Sequence, residues 1–368
     1  MTSWFSNPSD RRWSSTAAPP SAARDFHRTL AGYAPTPLID LPDLAAELGV
    51  GRVLVKDESA RLGLPAFKIL GASWACKQAL ERCPGARLVT ATDGNHGRAV
   101  ARMARELGVT ATIFVPAVMP ESTAALIESE GAEVVRVDGD YDEAVRSAAT
   151  YADGGGAHGQ PPGTGSPRVL VQDTAWPGYE EVPQWIVDGY ATLVEEVDEA
   201  LGRQPDLFAV PVGVGSLAQA VVAHYRRGRL PHEARRDGAA GAPTAYPTRV
   251  LAVEPDTAAC VLASLHDGRP TSVPTPDTVM AGLNCGTVSS LAWPTLRDGC
   301  DAAVTVTDEA ALSASRDLAA RGASSGPCGA ATLAGVRAAL TDPSRRADLD
   351  LPRDAVVVLL STEGLDSA

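Results

Sequence analysis

Short β-branched runs alternate with alanine-rich helical stretches along most of this chain, and that rhythm restricts its possible folds more than any other feature. The strand-like segments are RVLVKDE (52–58), RLVTAT (87–92), TATIFVP (110–116), AEVVRVD (132–138), RVLVQDT (168–174), DLFAVPVG (206–213), RVLAVEP (249–255) and AVVVLLST (355–362). Helical patterns lie between them at 69–82, 97–107, 120–130, 141–151, 180–202, 215–227 and 308–321. Alternation at this spacing predicts right-handed βαβ crossovers and a largely parallel sheet covered on both faces, an α/β fold. At 368 residues the chain exceeds what one core usually serves, so two doubly wound lobes are expected. Ligands in such folds sit beyond the carboxyl ends of the strands, which directs attention to the strand–loop–helix junctions.

With 45% apolar and 21% charged residues the chain can bury a sizeable interior. A formal charge of −13 argues against nucleic acid or an anionic membrane as partner, while leaving room for a small anion held by backbone amides. No apolar run has the roughly 18 residues a spanning helix needs. The first thirty residues carry no apolar signal core and read as an extended lead-in, so the chain is expected in the cytoplasm. Six scattered cysteines, without a Cys-x-x-Cys or paired-histidine spacing, predict no metal site. The stretches 153–167 and 234–248, rich in Gly, Pro and Ala, read as surface loops.

Four junctions carry chemistry. In Pro65-Ala66-Phe67-Lys68-Ile69-Leu70-Gly71, Lys68 opens an apolar helix. Apolar neighbours and the positive end of a helix dipole both disfavour an ammonium there, which suits a Schiff-base lysine; a lysine snorkelling to solvent is the alternative. Thr92-Asp93-Gly94-Asn95-His96-Gly97 follows a strand and opens a helix, where Asn95 offers a ligand both donor and acceptor or simply caps the helix. Gly213-Val214-Gly215-Ser216-Leu217 again joins strand to helix and presents N–H groups suited to phosphate, without a Walker lysine or a full dinucleotide signature. Ser361 and Thr362 end the strand AVVVLL, as a hydroxyl for a ring nitrogen or as an ordinary turn.

In that order, these junctions resemble the fold-type II pyridoxal phosphate (PLP) enzymes, the group of tryptophan synthase β, threonine dehydratase and cysteine synthase. The likeness runs from Thr36-Pro37-Leu38 through Lys56-Asp57-Glu58 to Ser361-Thr362-Glu363-Gly364. Narrower strings are similar to the diaminopropionate ammonia-lyases: Ala66-Phe67-Lys68, Ala91 to Arg98, Gln172-Asp173-Thr174-Ala175-Trp176 and Met280 to Gly286.

The resemblance implies a large PLP-binding domain, 1–87 plus 171–368, with a smaller mobile domain, 88–170, inserted in it. It implies that Lys68 carries the cofactor as an aldimine, with Phe67 beside it. Asn95 would contact the phenolic oxygen, Gly213, Val214, Gly215, Ser216 and Leu217 the phosphate, and Ser361 or Thr362 the pyridine nitrogen. Asp93 and Lys68 would serve as bases for opposite enantiomers of 2,3-diaminopropionate, with Asp173 near the substrate's amine. The products would be pyruvate and ammonia, by way of aminoacrylate.

A homodimer is implied as well, and a cysteine pair that Cys260 and Cys285 could match. Ser324-Ser325-Gly326 departs from the family pattern, in which an acidic residue often precedes Ser-Gly. Serine or threonine dehydration, β-replacement, a PLP-binding paralogue without turnover, and a nucleotide-binding α/β protein are the competing readings. Asp93 also poses a conflict. A helix N-terminus should stabilise its anion and make it a weak base, so desolvation has to raise its pKa for it to act.

Overall fold

Strands rich in Val, Leu and Ile with no polar alternation need cover on both faces, and the structure supplies it. The computed structural model describes residues 3–7, 13–15, 21–154, 167–227 and 248–365. Their strands are β1 (Trp4–Ser6), β2 (Leu38–Asp40), β3 (Arg52–Asp57), β4 (Arg87–Ala91), β5 (Ala111–Pro116), β6 (Glu133–Val137), β7 (Arg168–Leu170), β8 (Leu207–Pro211), β9 (Arg249–Pro255), β10 (Ala302–Val306) and β11 (Val356–Ser361). The expected loops at 153–167 and 234–248 lie outside the described residues except at their ends.

Two compact units divide the chain. One comprises Met1–Pro19, Thr36–Asp57 and Leu193–Thr362; the other comprises Pro20–Pro35, Glu58–Thr192 and Glu363–Ala368. The first holds a seven-stranded sheet in the order β1-β10-β9-β8-β11-β3-β2. Its five central strands are parallel, and the edge strands β1 and β2 are antiparallel. Every residue of β8, β9, β10 and β11 is buried, as a sheet covered on both faces requires. One cover is the helix Pro327–Leu340, whose Leu333 and Val336 join Val253, Val304 and Leu359 in the core.

The second unit is built on an all-parallel sheet in the order β6-β5-β4-β7. This sheet spans the 88–170 segment assigned to a smaller domain, while the compact unit around it takes in more chain, including the helix Lys68–Arg82. Its core gathers Val89, Phe114, Val137, Ala144, Ala148 and Tyr151.

The lead-in expected to be merely extended contributes structure. β1 pairs with β10, and the helix Ser21–His27 carries a buried His27 whose Nε2 lies 2.9 Å from the Leu70 carbonyl. That contact pins the helix opened by Lys68. The charges of the Lys56-Asp57-Glu58 string serve the scaffold. Lys56 pairs with Glu196 at 2.6 Å within the first unit, and Glu58 with Arg61 at 2.6 Å within the second, all four buried. Removing one partner of such a pair costs about 3–5 kcal/mol, because a buried charge is left uncompensated. No helix of the described residues is long and apolar enough to cross a membrane.

Candidate active site

The strand orders determine which junctions meet. In the second unit β4 lies between β5 and β7, and the chain's direction of winding reverses there. The loops leaving β4 and β7 therefore diverge and open a crevice at their carboxyl ends. The first loop carries Asp93, Asn95 and His96, the second Gln172 and Asp173. In the first unit β8 pairs with β11, so the Gly213–Leu217 loop after β8 and Ser361 at the end of β11 leave neighbouring strands. Within each unit the structure thus gathers the residues expected there.

Lys68 is the first residue of its helix, with no acidic side chain in the first turn. Its Nζ lies 2.6 Å from Asp173 Oδ2 and 5.5 Å from the Phe67 ring centroid. Phe67 packs against the buried Tyr190, with ring centroids 4.8 Å apart, and this fixes the backbone just before the lysine. Glu363 bridges to Ala66, and Gly364 N donates to the Pro65 carbonyl at 3.0 Å. The apolar setting expected for Lys68 is present, and a carboxylate partner that stabilises its charge is added.

Asp173 is held far below the usual carboxylate range. Burial alone would raise it, but the Lys68 ammonium and hydrogen bonds outweigh that. Its loop is clamped by Gln172. The Gln172 carbonyl oxygen accepts from Thr90 Oγ1 at 3.0 Å and Ala91 N at 2.9 Å, and its amide nitrogen donates to Tyr141 Oη at 2.8 Å. The expected strand 168–174 accordingly stops at Leu170, and the chain turns out of the sheet to present these side chains.

Asp93 resolves the conflict posed by its position. The buried hydroxyl of Thr92 accepts from Gly94 N at 2.9 Å and from Gly97 N, in the first turn of the next helix, at 3.0 Å, and the N-cap Gly94 has no side chain to bond with. Asp93 therefore does not cap the helix. Its side chain reaches solvent, yet the protein massed around it thins its hydration. With Asp173 and Asp142 adding and Lys68 opposing, its pKa is pushed up to about 6. Asn95 begins the helix Asn95–Glu106 directly after Gly94. Gly97 has to be glycine, because a Cβ there would stand 2.3 Å from Thr92 Cγ2.

In the first unit, Gly215 is the N-cap of the helix Ser216–Tyr225 at φ 102°, so the turn is capped without any side chain. Val214 O accepts from Ser289 N at 2.8 Å, which ties the loop to its surroundings. An amide-lined turn ahead of a helix dipole fits a phosphate. A Cβ on Gly213 would stand 2.9 Å from Cys285 Sγ, and the Cys260 thiol lies 3.7 Å from the Gly213 carbonyl. Neither cysteine is in a disulfide, and burial raises the pKa of the Cys260 thiol. Ser361 is buried, with its hydroxyl 3.3 Å from the Ser324 carbonyl, and Thr362 is buried beside it.

Thr92, His96 and Gln172 were given no role by sequence reasoning. Only Thr92, a hydroxyl just before a Gly-rich helix start, carried a local signal.

A lysine amine braced by one carboxylate, beside a second carboxylate titrating near neutrality, can bond a carbonyl carbon and move a proton close by. That chemistry, and in the other unit a turn suited to a phosphate, are what an enzyme with a carbonyl-bearing phosphate cofactor needs. The chain belongs to the pyridoxal-phosphate dependent enzyme family, whose model matches residues 29–363. It is 35% identical to the diaminopropionate ammonia-lyase of Escherichia coli K12 over 372 residues, covering 93% of this chain and 87% of that protein. It is 34% identical to the Salmonella typhimurium LT2 enzyme of that name, covering 92% and 87%. The crystal structure of the E. coli lyase in complex with an aminoacrylate–PLP azomethine reaction intermediate superimposes with a TM-score of 0.82, at 33% identity, covering 100% of this chain and 94% of that one.

Proposed function

We propose that this protein uses pyridoxal phosphate to eliminate ammonia from 2,3-diaminopropionate, yielding pyruvate and a second ammonia with uptake of one water. The observation that carries this reading is the acidic setting of Lys68, with Asp173 at 2.6 Å and Asp93 close enough to feel the charge of both. Two carboxylates beside the reactive lysine suit a substrate with two amines better than a substrate with one. Bound pyridoxal phosphate supplies the electron sink for the pair left when the α C–H bond breaks.

The chain's own groups do the rest. Lys68 Nζ would hold the cofactor at its aldehyde carbon, and its free amine would take the α-proton of one enantiomer. Asp93, a carboxylate above about pH 6, takes that of the other. Asp173 orients the substrate's amine. The amides of Gly213, Val214, Gly215, Ser216 and Leu217 receive the phosphate, Asn95 the phenolic oxygen, and Ser361 or Thr362 the ring nitrogen. A neutral hydroxyl there, unlike a carboxylate, would not hold a ring nitrogen protonated, which would favour elimination over transamination. A homodimer and a cytoplasmic setting belong to the same proposal, as do a small amino acid as substrate and no nucleic-acid partner.

The test is an assay of pyruvate and ammonia over D- and L-diaminopropionate, serine and threonine. The purified protein should be yellow and release pyruvate from diaminopropionate. Lys68→Ala should lose the lysine-bound cofactor absorption and the activity together. Turnover of serine or threonine alone would move the protein to the dehydratases.

A further inference from the structure

His96 stands in the first turn of its helix, 4% exposed, and its two ring nitrogens have unlike surroundings. Nε2 lies 2.8 Å from the Val171 carbonyl, which can only accept, so Nε2 carries the proton. Burial lowers the pKa of the ring and so favours its neutral form, in which a proton on Nε2 leaves Nδ1 as a lone pair. That Nδ1 is buried and has no hydrogen-bond partner among the described residues. An acceptor left this way is destabilising, because nothing replaces the hydration it has lost.

The lone pair faces a second acceptor, Asp173 Oδ2, 4.0 Å away. Two acceptors at that distance repel unless a donor stands against both. A nitrogen about 2.8 Å from each would subtend an angle of about 90°, close to that between two N–H bonds of an ammonium. The Lys68 amine already shows that a cationic nitrogen fits on Oδ2, at 2.6 Å. Asp173 Oδ1 is engaged by the Gln172 amide at 3.3 Å, which keeps Oδ2 turned toward the crevice.

We propose that His96 Nδ1 and Asp173 Oδ2 form a two-point acceptor for an ammonium group of the substrate, the β-amine of 2,3-diaminopropionate, which makes His96 a specificity-determining residue. The assignment rests on the diaminopropionate reading above and names its amine subsite. An amine held there as ammonium keeps its three protons and takes the C–N bonding pair on cleavage, so it leaves as neutral ammonia. A serine hydroxyl has one proton and no charge, and it can satisfy only one of the two acceptors. The pair therefore selects diamino acids over hydroxy amino acids.

Two substitutions separate this role from a structural one. His96→Gln can keep a donor on the Val171 carbonyl but places nothing at Nδ1, whereas His96→Asn places an amide oxygen near Nδ1 and loses the Val171 anchor. In the holoenzyme, His96→Gln should raise the KM for diaminopropionate about tenfold to hundredfold, as expected for a lost hydrogen bond to a charged group. Its kcat/KM for serine should stay within about threefold of wild type, and His96→Asn should retain the preference for diaminopropionate. Equal losses on both substrates in His96→Gln would overturn the assignment.

A second measurement does not depend on turnover. The 15N resonance of His96 Nδ1 in the holoenzyme should move with 1,2-diaminoethane and stay unmoved with ethanolamine, neither of which can be deaminated to pyruvate. An unmoved signal with the diamine also overturns the assignment. Absence of pyruvate from diaminopropionate in wild type, with the resonance still shifting, would refute the functional reading and leave the ammonium subsite standing.

Discussion

Replacing Thr92 by valine keeps the side chain's shape and removes only its hydroxyl, so the consequence can be worked out bond by bond. That hydroxyl accepts from two backbone amides, Gly94 N at 2.9 Å and Gly97 N at 3.0 Å, and valine leaves both unpaired. Gly97 is buried and bears most of the penalty, about 1–3 kcal/mol; Gly94 is half-buried and recovers part of its loss from water. The two together amount to about 2–4 kcal/mol, above the roughly 1 kcal/mol of an ordinary N-cap because one donor is sealed from solvent. A unit of this size loses about 2–4 °C of Tm per kcal/mol, so the midpoint should fall by about 4–16 °C while the protein stays folded at 25 °C. The same amides fix the helix start that aims Asn95 and His96, so kcat/KM should fall about a hundredfold, the scale of a misplacement of about 1 Å. Thr92→Ser, which keeps the acceptor, should lose little of either. Differential scanning calorimetry and the pyruvate assay read both quantities. A Thr92→Val protein with wild-type midpoint and activity would refute the assignment of Thr92 as the cap.

Further expectations concern the base and the anion turn. Since Asp93 is raised to about 6, its proton-accepting form is lost as pH falls through 6, so turnover of the isomer that depends on it, on this proposal the D-isomer, should decline below that pH. Asp93→Asn should abolish D-isomer turnover and spare the L-isomer; equal loss of both would discard the division between two bases. Gly215→Ala has to place a Cβ at φ 102°, 2.8 Å from Leu296 Cδ1, so spectrophotometric titration should show cofactor affinity reduced at least about tenfold, from some 1–3 kcal/mol of backbone strain alone.

The elements legible in the sequence were those whose two ends are marked. β4, β5, β9 and β11 are β-branched runs bounded by Gly, Pro or polar turns, and each lies within a residue or so of its expected span. The helix Pro327–Leu340 drew no notice because it is buried nearly all round and so shows no apolar stripe, although it covers the centre of the large sheet. The strand 168–174 was read too long, because Val171, Gln172 and Asp173 look like a strand by composition while tertiary hydrogen bonds bend them into the crevice. Lys68, Asp93 and Asp173 stood out by their local strings. The roles of His96 and Gln172 did not, because both follow from β4 lying beside β7, which no local pattern encodes. Asp93 sits by its string at a helix start that favours its anion, whereas burial and the nearby Asp173 charge raise its pKa, and neither can be read from that string.

The pairing of β3 with β11 has a consequence for how this protein is made. Arg52 lies beside Val356 and Asp57 beside Ser361, so the seven-stranded sheet joins an early stretch of chain to a late one, one strand in from its β2 edge. During synthesis β3 and its antiparallel neighbour β2 emerge with one long edge unfilled, and that edge stays open until residues 356–361 leave the ribosome. Loop closure over such a separation is slow, and an exposed strand edge invites pairing with other chains. Glu363 and Gly364, which follow β11 directly, close onto Ala66 and Pro65 just ahead of Lys68. The peptide that carries Lys68 is therefore among the last parts of its unit to be set in place. A nascent or truncated chain lacking that segment would carry the lysine without its finished seat.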